Sequence, residues 1–280
     1  GSTIFGDSND DTHTFTGSLF ITGSRIDLHD GKNNVAVGKD SLLSLTTGTY
    51  NTSLGLDSLN DLTTGARNIG IGPFAMDKAD GAEADNIAIG YNSLGTLNND
   101  SSIKNIAIGN YALDATSTNA MTGTIAIGHE ALTALTSGTN NTVVGYQAAD
   151  AMTSANYNTA FGYQALSAET VGHAATAFGD RALGLQNKGS DANTQNTGLG
   201  FFAGYSNVTG TNNTYVGFEA GKGGTGNNTS NTGIGKDAML SITTGDNNVA
   251  VGRSCGDALT DGAGNAFFGV NAGGATTSVL

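Results

Sequence analysis

The residues able to do chemistry in this chain are few. Its one thiol is Cys255, and its four histidines are His13, His29, His129 and His173. Gly70-Ile71-Gly72-Pro73-Phe74-Ala75 and Gly233-Ile234-Gly235-Lys236-Asp237-Ala238 fit the Gly-x-Gly-x-x-Ala form of a dinucleotide fingerprint. That motif seats a pyrophosphate on the N-terminus of a following helix, within a βαβ unit of about 30 residues. Both copies fall in register with a shorter repeat, which accounts for them without a nucleotide. The histidines are scattered and lack metal-ligand spacing. His13 follows Asp7, Asp10 and Asp11, and His29 lies between Asp27 and Asp30, an arrangement read as solvated surface rather than a metal site. Cys255 stands where other copies of the repeat carry Ala or Ser, so it reads as a small packing residue. Ser and Asp are spread through every copy, so no Ser-His-Asp group or carboxylate pair stands out. No catalytic residue, metal or cofactor is assigned, and no enzyme is expected.

Binding has better candidates. Tyr91, Tyr146, Tyr163, Phe201 and Phe218 each follow a repeat glycine directly. Stacked in register, Tyr146 with Tyr163 and Phe201 with Phe218 would form aromatic ladders able to lie on sugar rings. The plainer reading has them cover a turn or fill an interface between chains. Extra residues fall in Lys78–Asp85, Thr96–Lys104, Asp114–Gly123 and Asn187–Gln195. All precede the opening of a repeat, so they are expected to project from one edge, as binding loops or as neutral bulges.

The element that must position these residues is the repeat itself. A phrase of Asn–x–small–large apolar–Gly recurs fourteen times, with glycines at Gly38, Gly55, Gly72, Gly90, Gly109, Gly128, Gly145, Gly162, Gly179, Gly200, Gly217, Gly235, Gly252 and Gly269. Their spacing runs from 17 to 21 residues and is most often 17. Twelve copies open with Asn, the exceptions being Thr124 and Ala175. Asn suits a corner entering a strand, and stacked copies can bond through their amides. The large apolar residue, as in Val37, Ile89 or Phe161, and the mostly β-branched residue two before it, as in Val35, Ile87 or Thr159, describe one face of a short strand. That face is expected to be buried by stacking, which points the Thr142-Thr159-Thr176 and Thr197-Thr214-Thr232 rows inward. Glycine then lets the backbone bend or take a positive φ. After it come Ala-Leu pairs such as Ala165-Leu166, and the copy closes on Thr-Gly turns such as Thr46-Thr47-Gly48.

Seventeen residues cannot bury a core alone, so the copies must stack. The fold expected is all-β, a parallel β-solenoid or β-roll of about 14 coils. At ~4.8 Å per coil this gives a rod on the order of 65 Å long. Whether the second half of each coil is a strand or a short helical turn stays open, since five residues do not settle a period. Residues 1–33 lack the phrase and are expected to form a β cap or lead-in, with the solenoid over 34–280.

Composition narrows the classes. Of 280 residues 43 are Gly and one is Pro; only 12% are charged, which excludes a coiled coil and a charge-rich disordered chain. One cysteine excludes a disulfide scaffold. Twenty-four acidic against 11 basic residues argue against a nucleic-acid partner. No long apolar run and no basic-then-apolar leader is visible, so neither membrane insertion nor a secretion signal is expected.

Asn158-Thr159-Ala160-Phe161-Gly162-Tyr163-Gln164-Ala165-Leu166 resembles the repeats of phage tail-fibre proteins and is similar to the head repeats of YadA-type trimeric autotransporter adhesins. The likeness spans about residues 33–274. It implies a homotrimeric fibre of left-handed parallel β-rolls, on a virion or otherwise extracellular, that attaches to a host cell. Implied partners are the chain itself, a host-surface glycan or protein receptor, and other fibre or tail proteins. The coils here are longer than in the bacterial heads, which favours the viral fibre. The expected function is therefore structural and adhesive. The alternatives are a monomeric solenoid that binds glycan or ice, and a polysaccharide-degrading, tailspike-like fibre.

Overall fold

A computed structural model describes residues 31–115 and 119–274. The expected cap over 1–33, with His13 and His29, thus lies outside the described residues but for its last three positions. The elements are β1 (Val35–Val37), β2 (Thr52–Leu54), β3 (Ile69–Ile71), β4 (Ile87–Ile89), β5 (Ile106–Ile108), β6 (Met121–Thr122), β7 (Ile125–Ile127), β8 (Gly138–Thr139), β9 (Thr142–Val144), β10 (Thr159–Phe161), β11 (Thr176–Phe178), β12 (Thr197–Leu199), β13 (Thr214–Val216), β14 (Thr232–Ile234), β15 (Val249–Val251) and β16 (Ala266–Phe268). No helix occurs among the described residues. Fourteen strands form one parallel sheet in chain order, and β6 with β8 make a second, two-stranded one. Register is conserved throughout: Thr159 pairs with Thr176, Ala160 with Ala177 and Phe161 with Phe178. The fold is a parallel β-solenoid of about fourteen turns.

Each strand of the long sheet is three residues long, stopped by Gly on one side and, in all but the two coils that open with Thr124 and Ala175, by Asn on the other. The repeat glycine is required by contact as well as by conformation. At Gly128 φ is +141°, and a Cβ there would lie 2.2 Å from the carbonyl oxygen of Gly145 in the next coil. The same clash recurs up the stack, at 2.4 Å for Gly162 against Gly179. The Asn column faces the interior. Asn51 Oδ1 accepts the backbone N–H of Asn68 at 2.9 Å, while Asn51 Nδ2 donates to the Gly65 carbonyl at 2.9 Å. Equivalent bonds link Asn68 to Asn86 and Asn231 to Asn248. Where Thr124 replaces Asn, its Oγ1 is buried without a partner.

The strand faces are the reverse of the sequence expectation. The small middle residue points inward: Ala88, Ala107, Ala160 and Ala177 are fully buried. The flanking residues point outward, with Phe161 at 45% and Phe178 at 47% exposure and Thr142, Thr159 and Thr176 exposed. The interior is narrow, and its volume is already taken by the Asn column and by the leucines after the turn, such as Leu59, Leu132 and Leu166. Only a small residue fits at the middle of most strands. A period-2 pattern fixes which residues share a face but leaves open which face is inside.

The residues that follow each repeat glycine form a tight succession of turns, and only two coils add a short second strand later, β6 and β8. Two of the residues just after the glycine are left-handed, as Gln164 (φ 48°) and Leu166 (φ 57°) in one coil, and a third, Ala174 (φ 59°), comes at the coil's end. This conformation aims the Leu166 N–H at the Ala182 carbonyl of the next coil, at 3.1 Å. The ~1–2 kcal/mol cost of left-handed backbone at a non-glycine residue is offset by a stacked hydrogen bond that recurs coil after coil.

Two departures from the repeat shape the core. Tyr215 takes the middle position of β13, fully buried, with its hydroxyl donating to Asn228 Oδ1 at 2.9 Å. Burial holds its phenol well above the ordinary range. Gly204 and Gly221 stand where other coils carry Leu, and a Cβ on Gly221 would meet Tyr215 Cδ1 at 2.1 Å. Phe267 repeats the arrangement beside Gly256 and Gly273. The second departure is polar. Glu169, Gln186 and Asn207 fill the inner row that Leu62, Leu97, Leu135 and Met152 occupy elsewhere, and all three are buried. Glu169 Oε1 accepts the N–H groups of Thr170, Val171 and Gly172 at 3.0, 3.2 and 2.8 Å, and its Oε2 accepts Gln186 Nε2 at 3.0 Å. Asn207 has no partner for either amide atom. This polar plug divides the core into an apolar cluster ending at Leu183 and another starting at Ala203.

Candidate functional site

Two adjoining surfaces follow from the inverted strand faces. The first is the outer face of the fourteen-stranded sheet. One of its rows carries Val37, Leu54, Ile71, Ile89, Ile108, Ile127, Val144, Phe161, Phe178, Leu199, Val216, Ile234, Val251 and Phe268. The parallel row two residues earlier is Val and Ile over most of the first half and Thr from Thr142 to Thr232. Phe161 and Phe178 stack face to face, centroids 4.8 Å apart and planes 8° from parallel. Thirteen inter-strand steps of ~4.8 Å make the face about 62 Å long. Monomeric soluble proteins seldom leave a contiguous apolar patch of more than a few hundred Å² open to water.

The second surface begins one residue past the glycine. Tyr146 and Tyr163 stack at 5.6 Å with planes 10° apart, and Phe201 and Phe218 at 5.3 Å with planes 7° apart. Tyr91 is not isolated: it packs edge-on against Phe74 at 5.8 Å and Tyr111 at 5.3 Å. Tyr111 leads on to His129, which stacks on Tyr146 at 5.5 Å. Arg181 closes the gap between the two halves, its guanidinium 5.0 Å from the Tyr163 ring and 5.5 Å from Phe202. Phe202 in turn meets Phe201 at 4.5 Å. The five residues singled out from sequence thus belong to one continuous ladder from Phe74 to Phe218. Phe74, Tyr111 and Phe202 were missed because they sit two residues past the glycine, where left-handed backbone (φ 59°, 60° and 52°) swings them to the same strip. All five predicted residues are about 40–46% exposed, so each shows a ring face or edge to solvent.

The other sequence candidates fall elsewhere. His129 is part of the ladder, with Nδ1 3.7 Å from Glu130 Oε2. His173 is largely enclosed: its Nδ1 accepts the Asn156 N–H at 2.8 Å and its Nε2 meets Asp191. His129 is exposed, whereas little of the His173 side chain reaches solvent. Cys255 is buried in the apolar cluster, and burial pushes its thiol up, away from the reactive thiolate. The two fingerprint-like segments run from a strand into turns with no helix to receive a phosphate. Of the extended segments, 78–85 and 96–104 stack on each other through the Ala84–Ile103 bridge, and His173 pairs with Asn193 at 187–195. Part of 114–123 lies outside the described residues. Among the described residues no helix is long and apolar enough to cross a membrane.

Comparison with protein-family models, with curated proteins and with solved structures finds no match to this chain. Its functional reading therefore rests on the surfaces themselves.

Proposed function

We propose that this chain is a structural and adhesive fibre segment, self-associated as a homotrimer, that attaches a virion or other extracellular particle to a host surface without catalysis. The observation that carries the reading is the long outer face of the sheet, apolar throughout one row and part of the other, where Thr takes over from Thr142 to Thr232. Two outward rows about 62 Å long and about 10 Å wide present on the order of 600 Å². That approaches the roughly 800 Å² each partner buries in a standard stable interface. Copies of the same chain fit such a face best, because its fixed spacing along the rod is matched by an identical rod. A net charge of −13 keeps assembled rods apart and disfavours nucleic acid or anionic membrane as the alternative cover.

Adhesion falls to the aromatic ladder. Its rings recur at the coil spacing, and their polar tips and edges suit pyranose faces. A stiff rod that repeats one weak sugar contact gains by effective concentration, so attachment exceeds any single affinity. Light scattering on a sizing column tests the assembly: a mass of three times 28.1 kDa is expected. Ile106→Asp with Phe178→Asp, both on the outer face, should yield a folded monomer. A wild-type monomer overturns the assembly, and a wild-type trimer that persists in the variant places its interface elsewhere. Tyr146→Ala with Tyr163→Ala should lower glycan-array binding while the trimer persists.

A second reading draws on the outward Thr row. Six Thr at one position, from Thr142 to Thr232, face solvent side by side, as an ice-binding monomer requires. The adjoining row varies from Val144 through Phe161 to Leu199, an uneven surface for an ice lattice. Thermal hysteresis in a monomeric preparation would favour this reading over the fibre.

A further inference from the structure

The extended segments of the third and fourth coils bring three carboxylates to one corner of the rod. One oxygen each of Asp80, Glu83 and Asp100 lies within 4.8 Å of the others. The first two belong to one coil and Asp100 to the next, so stacking makes the group. Glu83 occupies a corner position where other coils carry Gly48, Gly65, Gly138, Gly210 and Gly245. It therefore adds a carboxylate at a corner that is Gly in most coils and neutral in the rest. Two backbone contacts fix the arrangement: Glu83 Oε2 accepts the Gly81 N–H at 3.0 Å, and Asp100 Oδ1 accepts the Ala82 N–H at 2.8 Å.

An acidic corner alone would need only water. The observation that asks for more is Glu83 itself, which is fully buried and whose Oε1 has no hydrogen-bond partner. A carboxylate taken out of water and left with an unpaired oxygen costs several kcal/mol unless a charge or donor meets it. Neighbouring cations are engaged elsewhere: Lys78 with Asp77 and Asp61, and Arg67 with Asp85. Burial and the charges of Asp100 and Asp80 all push the Glu83 carboxyl above its usual range.

We propose that Asp80, Glu83 and Asp100 hold a calcium-type divalent cation that ties the corners of these two coils together. Calcium–oxygen bonds of 2.3–2.6 Å allow ligand oxygens up to about 5 Å apart across the ion, and the three oxygens here lie inside that span. Three hard oxygen donors without nitrogen or sulfur select against zinc and copper. The two exposed aspartates leave the remaining positions to water, and such an irregular shell suits calcium better than the strict octahedron of magnesium. This inference is independent of the fibre reading, since it concerns one chain.

The test is calcium titration of the whole chain, stripped with chelator, by calorimetry and by thermal unfolding in about 0.15 M salt. A saturable site in the range of ~10⁻⁵–10⁻³ M is expected, with a rise in Tm. Glu83→Gln and Asp100→Asn should each weaken binding at least tenfold and abolish the Tm rise, while Asp257→Asn leaves both unchanged. Glu83→Gln should also raise Tm in chelator, because it removes the buried charge. Asp100 is exposed, so its variant carries the test should Glu83→Gln fail to fold. No saturable binding, binding within twofold of wild type in Asp100→Asn, or equal binding and stabilisation by magnesium would each overturn the proposal.

Discussion

Tyr215 and Gly221 offer the sharpest test of how this core is filled. Tyr215→Ala removes a fully buried ring, which costs about 3–5 kcal/mol for a large aromatic. It also leaves Asn228 Oδ1 without its donor, for a further ~1–3 kcal/mol. Gly221→Leu alone drives a Cβ to 2.1 Å from Tyr215 Cδ1, an overlap that no rotamer relieves because the clash is at the first side-chain atom. Its cost should exceed the ~1–3 kcal/mol of ordinary overpacking. Together the two substitutions restore the Ala-and-Leu filling of the coil with Ala160 and Leu166, both fully buried there. Residual loss should come from Gly204, which also makes room for the ring, and from Asn228 Oδ1, which still lacks its donor. The double variant should therefore be more stable than either single one, with a coupling energy near the upper end of the usual range, about 3 kcal/mol, in a double-mutant cycle. Urea denaturation followed by far-ultraviolet circular dichroism measures it. Single effects that add to within ~0.5 kcal/mol would show that ring and glycine do not compete for one volume, and the account of the core would fail.

Other substitutions probe the stack. Gly128→Ala, whose Cβ would sit 2.2 Å from the Gly145 oxygen, should cost at least ~3 kcal/mol or prevent folding, read from the same urea curves. Thr124→Asn should gain about 1 kcal/mol by extending the Asn column and removing an orphaned hydroxyl; an unchanged midpoint would count against the column as a source of stability. Burial raises the carboxyls of Asp77, Glu83, Asp114 and Asp150. The folded state then takes up protons more readily than the unfolded one, so stability rises as pH falls from neutral through the raised folded values. In chelator, Tm should be higher near pH 5 than at pH 7, and a fall over that interval would contradict the assignment.

The repeat, its strands and the need for glycine were legible because each leaves a residue signature. Asn and Gly bracket twelve of the fourteen strands of the long sheet, and an L-residue at the glycine between two coils has nowhere to put a Cβ. What the sequence hid was the sign of the faces. Val35 and Val37 announce a shared side of the strand, but nothing local says that Leu42 has already filled the interior. The ladder was half legible. Tyr146 with Tyr163 follows from register alone, whereas Tyr111 required knowing that the second residue past the glycine is left-handed. The carboxylate corner was least legible: Asp100 meets Glu83 only through stacking, seventeen positions apart in a coil of irregular length. The pairing of Tyr215 with Gly204 and Gly221 was readable once the two inner rows were compared, since each large residue answers a missing one.

The glycine column also decides how the rod bears load. Backbone meets backbone at each repeat glycine, with no side chain between to yield, so force directed down the axis is carried by covalent geometry and close contact. The inter-coil hydrogen bonds point along that same axis. Tension applied through the two ends of one chain therefore opens them a coil at a time instead of sharing the load among all. The layer around Gln186 and Asn207, where the apolar core is interrupted, is where such peeling would pause or divide. A single chain of this kind is strong as a strut and weak as a cable.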